Sequence, residues 1–199
     1  TITNVIPKQG FEVVRDRIAD ILTIEIDAQA QLSYEAYLDL VSVHIEIANP
    51  IDKIEMHYIV VSYASTDFSN KHQGSEDGLS TYYVDVYTSA KTTPTNSGDK
   101  IASFRCQKLL GLCRYIMADP IYKTIELATP YISRVANVDI KMGEVSKSDA
   151  INTCMGRLTV SVVCNESNKL IIPNLIDGYT TSIKLDETDL EILKFQKIE

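Results

Sequence analysis

The chain has no tryptophan and only three histidines, all between residues 44 and 72. The side chains that most often bind transition metals or line cofactor pockets are therefore scarce. It has no GxxxxGK or GxGxxG run, no HExxH, no GxSxG and no cysteine–histidine cluster. That removes phosphate-cradling loops, zinc-hydrolase helices and nucleophile elbows from consideration. Acidic residues are plentiful, but a general acid–base pair depends on proximity that spacing alone does not supply. The sequence reads as non-enzymatic, with no cofactor. Long apolar runs are also missing: the longest, such as Tyr58–Ala64 (YIVVSYA), are far too short to cross a bilayer. No secretory signal opens the chain, so the expectation is a soluble protein with reduced thiols.

Positive charge is in deficit, with 19 Lys and Arg against 27 Asp and Glu, a net charge of −8 and a pI near 4.9. Such a surface is unsuited to neutralising nucleic-acid phosphates, although it suits a wall that DNA must pass without sticking. There are four cysteines and no C-x-x-C spacing. Cys106 and Cys113 fall two turns apart on one helix face, too far for a disulfide, and Cys154 and Cys164 share strand parity with apolar neighbours. All four read as small core residues, and no structural metal is expected. The Asn165-Glu166-Ser167 sequon carries little weight without export.

What is present is organised around Thr81–Met117. Tyr82, Val84, Val86 and Thr88 alternate with Tyr83, Asp85 and Tyr87, the period of a strand. After a polar connector, Asn96, Ser97 and Asp99 offer capping side chains. Ala102, Cys106, Leu109, Cys113 and Ile116 then form an apolar helical stripe that Asp119-Pro120 ends. Upstream, Phe11, Val14, Ile18, Ile21 and Leu22 mark a first helix whose end is blurred by Ile24 and Ile26.

From Leu40 the period becomes two. A hairpin centred on Pro50-Ile51 would pair Val43 with Tyr58 and Ile45 with Met56, setting Glu46 against Glu55 and His44 against His57 on the polar face. Like charges in register would be relieved by basic residues from a neighbouring segment or subunit, so this face is a candidate interface. Two opposed histidines without a third ligand read as solvent-facing or interface residues and not as a metal site. The polar segment Ser65–Ser80 reads as a long loop, either mobile or ordered against a partner, and it brings in Asp67, Glu76 and Asp77. Its acids lack calcium-loop spacing. Val138, Ile140 and Met142 suggest a strand ending at Gly143, followed by a polar connector. Leu158, Val160, Val162 and Cys164 form the second member of an antiparallel pair. The tail has a turn signal at Asp177-Gly178, short extended candidates at 180–185 and 190–195, and a C-terminal extension over 186–199. The whole reads as one α+β domain, a mostly antiparallel sheet with two amphipathic helices on one face.

The succession FEVVRDRIADIL, YYVDVYTSA, DKIASFRCQKLLGLCRYIM with DPIYKT, ISRVANVDIKMGE and GRLTVSVVCNES runs from Phe11 to Glu166. It resembles the tail terminator or tail completion proteins of tailed bacteriophages. The resemblance lies in segment order and includes no catalytic motif. It implies a structural virion protein, assembled in the host cytoplasm, that forms a ring, usually a hexamer, on the head-proximal end of a finished tail. Its implied partners are further copies of itself, the tail tube protein and a neck or connector protein, with a sheath as well if the tail is contractile. DNA would pass through the lumen without specific binding, and no membrane is involved. The residues offered as subunit or partner contacts are His44, Glu46, Glu55, His57, Asp67, Glu76 and Asp77. Two other readings stay open: a different neck or baseplate adaptor such as a head-completion protein, and a small hydrolytic or ligand-binding domain whose acids converge only in three dimensions.

Overall fold

Tyr82, Val84, Val86 and Thr88 point from the middle of a five-stranded sheet towards two helices and are buried there, as their alternation requires. The computed structural model describes residues 5, 8–33, 35–46, 57–68, 77–127, 132–148 and 151–165, all within the unit Thr1–Ser167. The readings made for the tail, including its C-terminal extension, lie outside the described residues.

The order is α1 (Gly10–Leu32), a 3₁₀ turn (Leu38–Leu40), β1 (Val41–Ile45), β2 (His57–Asp67), β3 (Asp77–Lys91), α2 (Gly98–Ala118), a 3₁₀ turn (Pro120–Tyr122), β4 (Ile132–Ser148) and β5 (Ile151–Asn165). The strands lie side by side as β1-β2-β3-β5-β4. Three of the four ladders are antiparallel and β1 runs parallel to β2. This is the α+β, mostly antiparallel architecture expected. α1 packs over β1 and β2, and α2 over β3, β5 and β4. No described helix is long and apolar enough to cross a membrane.

α1 starts where the Glu12 carboxylate accepts the Gln9 backbone N–H at 2.9 Å, half of a capping box. It continues through the β-branched stretch because Ile26 is buried with Val14, Ile18, Ile21 and Leu22. Packing outweighs the small propensity cost of those residues. α2 buries the stripe read from its sequence together with Leu110 and Met117. Asp119 ends it, and its Oδ1 accepts the Ile121 N–H at 2.9 Å to open the following turn. The next residues are held hard against α1. Arg17 Nε donates to the Ile125 carbonyl at 3.3 Å, Arg17 pairs with Glu126, and Tyr122 hydrogen-bonds Glu25. Ile125 is fully buried at φ 44°, a left-handed conformation that costs a β-branched residue about 1–3 kcal/mol and persists only when its surroundings impose it.

α2 is seated on the sheet by one polar contact and one close approach. The Thr88 hydroxyl donates to the Ala102 carbonyl at 2.7 Å in the buried interior. Beneath the helix, a Cβ at Gly156 would lie 2.2 Å from Leu110 Cδ1 and 3.3 Å from Cys106 Sγ. A side chain here would have to displace Leu110.

Three expectations are corrected. The antiparallel pairing expected about Pro50-Ile51, themselves outside the described residues, is not the one present: β1 and β2 pair in parallel, with Val41 beside His57, Val43 beside Ile59 and Ile45 beside Val61. The face that β2 buries against the helices is His57, Ile59 and Val61, not the Tyr58 and Val60 face. The run Tyr58–Val61 is apolar at both parities, so hydrophobicity alone does not fix which face is inner. Next, both ends of the segment Ser65–Ser80 are strand, while its middle, 69–76, lies outside the described residues. β2 extends to Asp67 and β3 begins at Asp77, with Thr66 paired to Ser80 and Asp67 to Leu79, and Ser80 fully buried. Finally, the connector expected after Gly143 is strand as well. β4 runs on to Ser148, with Ser146 opposite Thr153 and a register shift between Met142 and Val145.

The four cysteines are free and buried as read. Burial pushes the Cys113 thiol from an ordinary 9.0 up to about 12, and burial followed by the neighbouring Cys154 pushes Cys106 the same way. Both groups favour the folded state fully below their unfolded value, and that contribution is lost as pH climbs through the raised one. Native protein at neutral pH is expected to leave these four thiols unlabelled by a thiol-specific chromophore, with labelling released on denaturation. Gly156→Ala is expected to cost about 1–3 kcal/mol of stability in a urea titration, since Leu110 and the helix above it must shift.

Candidate partner interface

Both described helices lie on one side of the sheet, and its other face is a surface on which to look for a partner. Alternation puts Ser42 and His44 of β1, Tyr58 of β2, Tyr83, Asp85 and Tyr87 of β3, and Met155, Arg157 and Thr159 of β5 on that side. At its centre Asp85 lies directly across from Arg157. Arg157 grips it with two bonds, Nε to Oδ1 at 2.6 Å and Nη2 to Oδ2 at 2.8 Å. The guanidinium also stacks 4.0 Å from the centroid of the Tyr83 ring. Asp85 is nearly buried, with 9% of its side chain exposed against 37% for Arg157.

This forked, stacked geometry is the strong form of an ion pair. Donating to the Asp85 carboxylate raises the Arg157 pKa above its ordinary value, against the cost of burial. Burial, then the Asp85 charge, raises that of the Tyr87 phenol. At the centre of the face the arginine therefore keeps its charge and the Tyr87 phenol its proton across the physiological range. Tyrosine, methionine and arginine are the residue types enriched at the centres of protein interfaces.

The residues expected to make contacts are scattered. Glu46 follows β1 at φ 53°. Its carboxylate accepts the Tyr63 N–H at 2.9 Å and pairs with Arg15 at 3.3 Å. The basic relief anticipated for it thus comes from α1 of the same chain. His44 lies on the open face, its Nε2 2.9 Å from the Ser42 hydroxyl and its ring 5.6 Å from that of Tyr58.

His57 is a correction. It lies on the opposite side of the sheet from His44, is fully buried, and packs edge-on against Tyr37 with ring centroids 5.7 Å apart. The parallel register sends it inward, so it neither faces His44 nor reaches a partner. Asp67 is exposed at the end of β2, and Asp77 opens β3 opposite Asn165. Glu55 and Glu76 lie outside the described residues. Among the described residues, no three His, Cys, Asp or Glu side chains come together as metal ligands.

The central pair, Asp85 and Arg157, was visible in sequence only as two polar positions in alternating strands. Joining them requires the β3–β5 register.

Arg157→Leu leaves the nearly buried Asp85 without its counter-charge. It is expected to cost about 2–3 kcal/mol in chemical unfolding, reduced from the fully buried case because Arg157 is partly exposed. Asp85→Leu combined with Arg157→Leu is expected to cost less than Arg157→Leu alone. A double variant less stable than that single one would show that the pair contributes more than charge compensation.

The sequence matches no protein-family model and no curated protein.

Proposed function

We propose that this chain is a ring-forming structural protein of a bacteriophage tail, placed at the head-proximal end of the tube, where it stops polymerisation and meets the neck. The observation that carries the reading is a sheet with both described helices on one side and a tyrosine, methionine and arginine face on the other, in a chain whose segment order resembles tail terminators. A ring built head to tail needs two different surfaces on each subunit, and the open sheet face and the outer side of the helices are two such surfaces. The net charge of −8 suits a lumen that repels the passing polyanion.

The assay is to mix purified chain with tail tubes and view them by negative-stain electron microscopy, with the mass of the free chain measured by light scattering. The expected result is a ring-shaped cap on one end of each tube and no further growth when tube subunits are added. A chain that stays monomeric and leaves both tube ends bare would remove the proposal. Tyr83→Ala together with Tyr87→Ala is expected to abolish capping while the chain still folds, if the open face is one of the two surfaces.

A further inference from the structure

The two helices carry opposite charge. In α1, Glu12, Asp16, Asp20, Glu25 and Asp27 oppose Arg15 and Arg17, a balance of −3. In α2, Lys100, Arg105, Lys108 and Arg114 oppose Asp99, a balance of +3 within a chain of net −8. The excess is not spread evenly round each helix. Facing away from the core, α1 exposes Asp20, Ile24 and Asp27, and α2 exposes Lys100, Phe104 and Lys108.

Ile24 and Phe104 are large apolar side chains left 59% and 54% exposed, and Tyr115, further along the same face of α2, is 72% exposed. Acid–apolar–acid at steps of four and three residues covers about 10 Å of helix, and base–aromatic–base at steps of four and four about 12 Å. The stripes match in length, in the position of the apolar residue and in opposite charge.

Gly111 lies between Lys108 and Tyr115 on the same outer face. A glycine inside a helix weakens it, and a Cβ built there meets no atom within 4 Å. Packing within the subunit therefore does not require a glycine at this position, whereas close approach by another molecule would.

We propose that the Asp20-Ile24-Asp27 stripe of one copy docks on the Lys100-Phe104-Lys108 stripe of another, with the second backbone passing over Gly111. The contact needs only a second copy of this chain and stands independently of the tail assignment. Lys108 already pairs with Glu35 at the surface, an exposed contact that it gives up at little cost. Lys100 lies 5.8 Å from the centroid of the Phe104 ring, so the aromatic side chain arrives with a cation beside it to meet an incoming carboxylate.

Charge reversal tests the docking. Asp20→Lys with Asp27→Lys makes both stripes basic, and Lys100→Glu with Lys108→Glu makes both acidic. In sedimentation velocity over a concentration series, each doubly reversed chain is expected to self-associate about tenfold or more weakly than the wild type. The two mixed together should recover association, because every stripe again meets its opposite. Circular dichroism and melting curves establish that each variant is folded. Gly111→Ala is expected to raise the melting temperature and weaken association, two effects that a purely intramolecular role for the residue would not separate. Should a reversed chain fail to fold, wild-type association must still weaken steeply with added salt. A wild-type chain that stays monomeric across the series would overturn the proposal. So would reversed chains that associate like the wild type, or a mixture that fails to recover.

Discussion

The depth at which α2 sits on the sheet is the constraint on which the other arrangements rest. Leu110 occupies the space that a side chain at position 156 would need, and Cys106 lies just beyond it. With the helix this close, Thr88 reaches the Ala102 carbonyl and the small side chains of Ala102, Cys106 and Cys113 are filled against rather than left as voids. α2 then spans β3, β5 and β4, leaving β1 and β2 to α1. The two helices are tied through Arg17, Glu25, Tyr122 and the strained Ile125. A strand glycine ordinarily reads as a weak point, and here it marks a close approach of helix to sheet.

How much of this was legible depended on whether composition distinguished inside from outside. In β3 and β5 one parity is apolar and the other polar or mixed, and both faces were read correctly. In Tyr58–Val61 both parities are apolar, and the reading took the wrong one, which carried His57 to the surface and turned a parallel ladder into a hairpin. Ser65–Ser80 hid strand for the opposite reason. The Tyr63, Thr66 and Ser80 hydroxyls form a chain of 2.8 Å contacts, so polar side chains are satisfied by one another inside the sheet and no apolar pattern remains to announce it.

The surface chemistry was less legible than the fold because it depends on register and on distant partners. Asp85 and Arg157 are 72 positions apart in sequence and meet only because β3 and β5 align as they do. Glu46 was rightly expected to need a cation, but nothing near it in sequence identifies Arg15, which lies a helix away. Neither carboxylate is a free contact for a partner, since each is already committed within the chain.

The ladder between β4 and β5 slips at three places, between Ile132 and Arg134, Val135 and Asn137, and Met142 and Val145. Among the described strands β4 is also an outermost one, so these slips interrupt the spacing of the backbone groups that it turns away from β5. A foreign strand laid alongside would fall out of step after a few residues, and stacking of copies without limit through this border is discouraged by its geometry.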